Sequence, residues 1–296
     1  MGRGVSRYGI VDRNTPITTS VKETAGGLPA VISAWKHGVS KMGFVGSTVS
    51  LGKANQKRGF DCPGCAWPDP KHRSPFEYCE NGAKAVSDEA TIKTIPDSFW
   101  QEHSIHALGR KSDQWLNSQG RLSRPLILER DSNHYVPSDW DRAIGIIAKS
   151  LDALEDPNDA YFYTSGRASN EAAYLWQLLA RQYGTNNLPD CSNMCHESSG
   201  VALNESIGIG KGTVRLEDFD KADLIVIVGQ NPGTNHPRML SALKSAKKSG
   251  ASVLSINPLK ETGMRRFRHP QSPIDMLGAG TQISDDHVNI KINGDM

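Results

Sequence analysis

Long hydrophobic runs are missing from this chain of 296 residues. Nothing in it approaches the ~20 consecutive apolar residues of a membrane-crossing helix, so no membrane span is expected. An excess of one charge is missing too. The 34 Lys and Arg nearly balance the 32 Asp and Glu, leaving a formal net charge of +2. So small a charge sets up no long-range field for nucleic acid, and none is expected as a partner. The opening stretch, Met1 to Ile10, has neither a hydrophobic h-region nor a twin-arginine signal, which reads as no secretory leader. A cytoplasmic location is the expectation. The sequence also lacks a G-x-G-x-x-G fingerprint, a Walker A motif, internal repeats and low-complexity segments. What remains is a globular composition, 37% hydrophobic and 22% charged, long enough for two domains or one large one.

Cysteine is scarce, and its placement is the most informative feature. All five thiols fall in two clusters. The first is Cys62-Pro-Gly-Cys65, with Cys79 after a further 13 residues. The second is Cys191-Ser-Asn-Met-Cys195-His196. In a reducing compartment, gathered thiolates point to metal or to redox chemistry rather than to disulfides. Cys62-x-x-Cys65 is compact enough for both sulfurs to hold one zinc ion or one iron of a cluster, with Gly64 letting the loop bend. A zinc ribbon needs a second pair, and none lies nearby. A thioredoxin-like dithiol needs a helix start, against which Pro63, Pro68, Pro70 and Pro75 argue. An exposed pair without metal is the plain alternative. Cys191 and Cys195 stand four apart and share one face of a helix if the segment is helical. The adjoining His196 offers a proton acceptor. Against this, Cys191 reads rather as a buried small hydrophobe and His196 rather as a structural donor, while for Cys195 the two readings stand even.

Between and beyond the clusters the periodicity changes. Residues 1–60 are rich in Gly, Ser, Thr and Lys, and "GFVGSTVSLGKANQKRGFDCPGC" reads as loop. "ENGAKAVSDEATIKTI" opens a helix. "LSRPLILERDSNHYVPSDWDRAIGIIAKSLDAL" reads as strand, turn and helix, with Ser138 as cap and Asp139 and Asp141 in the first turn. "AYFYTSG" reads as a strand ending in Gly166. "NEAAYLWQLLARQYG" is a helix with Ala172, Leu175, Leu178 and Leu179 on one side and Gly184 as its stop. "ADLIVIVGQNP", "PRMLSALKSAKKSG" and "ASVLSINP" then form a strand–helix–strand unit of the buried, parallel kind. Active loops of such sheets lie at the carboxyl ends of strands, here Thr164–Ser169, Gly229–Asn235 and Asn257–Lys260. Asn side chains and backbone N–H groups at the last two suit a pyrophosphate or a ribose, although Gly and Asn also end strands for steric reasons alone.

The order of these pieces resembles the molybdopterin-dependent, formate dehydrogenase-like oxidoreductases, and within them the YdeP-like branch associated with acid resistance. The stretch from "YFYTSGRASNEAAYLW" through "LPDCSNMCHESSGVALNESIGIGKGT", then "ADLIVIVGQNPGTNHPRML" and "INPLKETG", carries the resemblance. It implies a molybdenum bis(molybdopterin guanine dinucleotide) cofactor and one [4Fe–4S] cluster, working on a small-molecule substrate and handing electrons to a partner. It places Cys195 at the thiolate ligand to molybdenum, a soft donor for that metal, and His196 at the adjacent proton acceptor. It places Cys62, Cys65 and Cys79 in the cluster loop and Lys84 between cluster and pterin. Arg167, Ser169 and Asn170 fall on the first strand end facing the cofactor. Asn231, Gly233 and Asn257 fall on the ends that hold guanine dinucleotide.

The fold expected from the resemblance is α/β. Residues 1–135 form a loop-rich, cluster-binding region. Residues 136–296 form a parallel-sheet βαβ domain of the molybdopterin oxidoreductase type, incomplete at its C-terminus. The closing "DDHVNIKINGDM" reads as a strand cut off at a turn, so the chain reads as the N-terminal part of a longer protein. The family's C-x2-C-x3-C motif is broken here, because Asp69 stands near the place of the third cysteine. His72 is then a candidate fourth ligand. Two other readings stay open: a non-catalytic α/β fragment, and a binding module stabilised by zinc on Cys62, Cys65, Cys79 and His72.

Overall fold

The computed structural model describes residues 22–291 apart from Arg167. Met1 to Ile10, the stretch read for a leader, therefore lies outside the described residues, as does Arg167. In chain order the elements used below are α1 (Gly27–Lys53), α2 (Glu80–Glu89), α3 (Trp140–Asp152), α4 (Asn170–Tyr183), α5 (Cys191–Cys195), α6 (Glu197–Ile207), β1 (Leu224–Val228), α7 (Pro232–Asn235), α8 (Met239–Lys248), β2 (Ser252–Ile256), α9 (Thr262–Arg265) and β3 (Asp286–Val288). The chain divides into two compact units. One contains Thr94–Leu116 and Leu122–Thr213; the other contains the described residues up to Lys93, Asn117–Arg121 and those from Val214 onward.

The second unit is built on the parallel sheet that the sequence predicts. β1 pairs with β2 from Leu224↔Ser252 to Val228↔Ile256, and β2 pairs with β3 from Leu254↔Asp286 to Ile256↔Val288. The crossover helix α8 lays Met239, Leu240 and Leu243 on Ile227 and Val253, joined by Met264, Phe267 and Ile283. Leu243 and Ile283 are fully buried, and each such side chain contributes about 1.5–3 kcal/mol by leaving water. The strand–helix–strand order holds, but the burial expected of β1 is corrected: α8 covers the face with Ile227, while Leu224, Val226 and Val228 on the other face are exposed.

The loop expected before Cys62 is corrected. It is helical as far as Lys53, in an element of 27 residues that turns at Gly43, where φ is 72° and ψ is 174°. Trp35 stacks on Phe44 with ring centroids 5.9 Å apart. Residues nine apart on a straight helix stand roughly 13.5 Å apart, so the element folds back on itself at Gly43. A left-handed φ there suits glycine. Small residues replace the usual apolar stripe: Ala34, Gly38 and Ser47 are buried with Met42 and Leu51, against Ala83 and Val86 of α2. Gly38 has no room for a side chain, since a Cβ would sit 3.0 Å from the Ser47 hydroxyl. Packing overrides the weak helix propensity of Gly and Ser.

In the first unit, Leu126–Ile127 and Val136–Pro137 form a short antiparallel pair ahead of α3. The cap of α3 is one residue later than the sequence suggested. Asp139, not Ser138, accepts the Arg142 N–H at 2.7 Å, while Ser138 is buried. The segment Ala160–Gly166 is extended but is not a regular strand. It makes one parallel bridge, Thr164↔Asp190, and the Phe162 N–H donates to the Asn187 carbonyl at 2.9 Å. Pro189 in the facing segment has no N–H to continue a ladder. Helix α4 has the expected ends, with Ser169 capping and Gly184 left-handed at φ 112°. Its buried point is Ala180, packed with Ala160 and Phe162. The side that carries Leu175, Leu178 and Leu179 is open, with Leu175 64% exposed.

Candidate functional site

The first cysteine cluster is brought together in the second unit. Cys79 caps α2, and its sulfur accepts the Gly82 N–H at 3.2 Å. Gly82 is the point that Cys62 and Cys79 share. A Cβ there would lie 3.0 Å from the Cys62 sulfur and 3.6 Å from the Cys79 sulfur. Gly64 lies equally close, where a Cβ would meet the Gly82 Cα at 3.3 Å. Burial pushes the Cys79 thiol up, and the neighbouring Cys62 and Cys65 push it further, against the Gly82 and Asn81 N–H groups. All five cysteines are free thiols. Among the described residues, no three His, Cys, Asp or Glu side chains converge as ligands of a single metal ion. The donors present suit an iron–sulfur centre: three soft sulfurs beside a helix N-terminus, with a side-chain-free glycine between two of them.

Two residues that the sequence reading passed over hold this arrangement. Asn55 is buried and adopts φ 55°, the left-handed region that Asn tolerates. Its Oδ1 accepts the Cys62 N–H at 2.8 Å, and its Nδ2 donates to the Glu77 carbonyl at 2.7 Å. Asn81 donates to the Thr234 carbonyl at 3.0 Å, tying the start of α2 to the turn after β1. An Asn after a helix and ahead of a Cys-x-x-Cys loop was the available signal, and it carries no weight without its distant partners.

Lys84 lies on α2 and pairs with Glu80 at 2.7 Å, one turn earlier. Asp69, near the place of the missing cysteine, is engaged by Arg73 at 3.0 Å and Arg238 at 2.7 Å. His72 is exposed and lines a cavity of ≈ 660 Å³, which Cys79, Gly233 and Arg238 also line.

The two strand ends lie side by side on the carboxyl edge of the sheet, where such sheets hold ligands. Asn231 precedes α7, and its carbonyl accepts the Thr234 and Asn235 N–H groups. Gly233 packs against Gly263 of α9, where a Cβ on Gly263 would fall 3.0 Å from the Gly233 Cα. Asn257 is buried, and its Oδ1 accepts the Leu259 N–H at 3.3 Å. Part of what these residues do is therefore to build the turns themselves.

The remaining site residues lie in the first unit. Cys195 ends α5 and is exposed, and His196 stands between α5 and α6. Asn193 braces the segment, its Oδ1 accepting the Asp190 N–H at 2.9 Å and its amide meeting Glu197. Gly166 abuts Cys191 so closely that a Cβ would lie 2.8 Å from its sulfur. This brings Gly166, three residues ahead of Ser169, beside Cys191. The Ser169 hydroxyl accepts the Ala172 N–H at 3.2 Å.

Comparison with known proteins decides what such a chain is. Residues 121–293 match the family model described as molybdopterin oxidoreductase. The chain belongs to the molybdopterin oxidoreductase family. It is 53% identical over 276 residues to an uncharacterized oxidoreductase of Mycobacterium tuberculosis, covering 93% of this chain and 35% of that one. It is 49% identical over 278 residues to protein YdeP of Escherichia coli, covering 94% and 37%. A putative formate dehydrogenase of Staphylococcus aureus is 30% identical over 232 residues, covering 73% and 23%. The chain thus spans little more than a third of the first two relatives. Among the described residues no helix is long and apolar enough to cross a membrane.

Proposed function

We propose that this chain carries the iron–sulfur site and part of the molybdopterin guanine dinucleotide site of an oxidoreductase acting on a small molecule of the formate class. When bound, the pterin-held metal supplies two-electron chemistry and the cluster carries single electrons onward. Cys62, Cys65 and Cys79 would hold the [4Fe–4S] cluster. Cys195 would give its thiolate to the molybdenum, with His196 as the adjacent proton acceptor. Ser169, Asn170 and Arg167, and Asn231, Gly233 and Asn257, would seat the guanine dinucleotides. Lys84, on the helix that Cys79 caps, would stand between cluster and pterin.

The observation that carries this reading is the approach of the Cys62 and Cys79 sulfurs to Gly82, with Cys65 near enough to raise the Cys79 thiol, within a chain of this family. The formate-class substrate rests on the similarity to a putative formate dehydrogenase.

Elemental analysis of the anaerobically purified chain tests it. Iron with molybdenum or tungsten is the expected result. Iron alone would confine the chain's role to the cluster. Zinc alone would replace the reading with a zinc-stabilised module, and no metal would overturn it.

A further inference from the structure

The stretch between Cys65 and Cys79 has no helix or strand and contains Pro68, Pro70 and Pro75, yet charged groups pin it at both ends. Asp69 lies four residues after Cys65, and Glu77 lies two residues before Cys79. One guanidinium meets both carboxylates. Arg238 approaches Asp69 at 2.7 Å, and it reaches Glu77 through Nη2 at 2.8 Å and Nε at 3.2 Å. Arg73 joins Asp69 from the other side at 3.0 Å, and the second oxygen of Glu77 accepts the Ser74 N–H at 2.9 Å. Two cations thus balance two anions. The three central side chains are only 11% (Arg238), 17% (Asp69) and 15% (Glu77) exposed.

Arg238 comes from a distant part of the sequence. It immediately precedes α8, in the same turn region as Gly233. The Asn81–Thr234 hydrogen bond ties the same two segments together a second time. Burial disfavours the guanidinium charge, but Asp69 and Glu77 more than offset it and hold Arg238 above its ordinary value. A buried ion network of this kind is a weak source of stability compared with apolar packing. What it supplies is direction. The fork of Arg238 holds Glu77 through Nε and Nη2 together, which a point charge does not, and the same Nη2 stands in ion-pair range of Asp69 Oδ1, an atom that accepts no hydrogen bond.

We propose that Arg238 is a positioning residue for the iron–sulfur site, setting where Cys79 stands relative to Cys62 and Cys65 through Asp69 and Glu77. The inference rests on the cluster reading given above. It makes the loop's geometry a property of the turn after β1, so that the thiols and the strand end are set as one piece.

The test is anaerobic iron–sulfur reconstitution of the full chain as wild type, Arg238→Gln, Arg238→Lys and Ile283→Val. Iron per chain and the electron paramagnetic resonance spectrum of the reduced cluster are read for each. Loss of a direct outer partner of a metal ligand costs about 10- to 100-fold in metal affinity; Arg238 acts one link further out, so Arg238→Gln is expected to show a loss of about tenfold, the lower end of that range, with a shifted spectrum. Arg238→Lys restores the charge but not the fork, and is expected to recover iron with a broadened spectrum. Ile283→Val weakens the core that Trp67 of the loop borders while leaving the Arg238 contacts in place, and is expected to keep the wild-type spectrum. Wild-type iron affinity and spectrum in Arg238→Gln would overturn the proposal while leaving the cluster reading intact. If Arg238→Gln does not fold, an unchanged spectrum in Arg238→Lys overturns it equally. A folded wild type that takes up no iron would instead remove the cluster reading, and this inference with it.

Discussion

The carboxamide oxygen of Asn55 accepts the backbone N–H of Cys62 at 2.8 Å, while its nitrogen donates to the Glu77 carbonyl at 2.7 Å. One side chain therefore spans both cysteine-bearing segments. Asn55→Ala leaves a buried N–H and a carbonyl without partners, at about 1–3 kcal/mol for each group. Asn55→Gly loses the same bonds but adopts the left-handed φ freely, and so recovers about 1 kcal/mol of that loss. Denaturant unfolding of the three proteins checks the order wild type, Gly, Ala. A glycine variant as stable as wild type would mean that only the backbone conformation matters.

Gly263 and Gly52 make a matched pair of glycine tests. Gly263→Ala would place a Cβ 3.0 Å from the Gly233 Cα, a backbone contact that cannot yield like a flexible side chain. Overpacking of this kind costs about 1–3 kcal/mol. At Gly52, inside α1, a Cβ meets nothing within 4 Å, so Gly52→Ala is expected to stabilise by up to about 1 kcal/mol. Thermal unfolding should shift in opposite directions; the same sign for both would refute the close glycine approach.

Asp285 carries a pH dependence. Lys247 donates to its carboxylate at 2.6 Å and the Val253 N–H at 2.8 Å, and these two hold it below the usual carboxylate range. A carboxyl whose folded pKa is depressed contributes stability in full above its unfolded value of about 3.9. That contribution is lost as pH falls through the lower folded value. Stability should therefore decline below about pH 4, and the decline should be shallower in Asp285→Asn. Equal slopes in the two proteins would remove Asp285 from the acid response.

The two cysteine clusters should part company on metal analysis. Cys62→Ser is expected to lose iron first. Cys195→Ser should keep near-normal iron while losing molybdenum from a protein that binds it. Iron retained in Cys62→Ser would refute the cluster assignment, and molybdenum retained in Cys195→Ser would refute the ligand role.

Some of this was legible in the sequence. The β1–α8–β2 unit was, because "LIVIV" and "SVLSI" bracket an amphipathic helix between glycine stops. The thiols were legible by chemical identity, and Gly184 by its place as the stop of α4. The helical hairpin α1 was not. Its buried face is made of Ala34, Gly38 and Ser47, residues with no hydrophobic period to read. Nor was the open face of α4 around Leu175, where periodicity named an apolar side without naming a partner. The pairing of Arg238 with Glu77 joins residues 161 positions apart, and neither residue type signals a site until folding brings them into contact.

The second unit is assembled from the beginning and the end of the described chain, while Thr94–Leu116 and Leu122–Thr213 go elsewhere. This division sets a schedule for the growing polypeptide. Cys62, Cys65 and Cys79 leave the ribosome early. Arg238, which meets Asp69 and Glu77, and β3, which completes the sheet, are made much later. At about 5–20 residues per second the wait from Cys79 to β3 lasts roughly 10–40 s. Throughout that interval three free thiols stand beside an unanchored loop. If these thiols hold the proposed cluster, iron would be loaded only after β3 is made, and oxidation of the sulfurs before then is the hazard that this order of assembly creates.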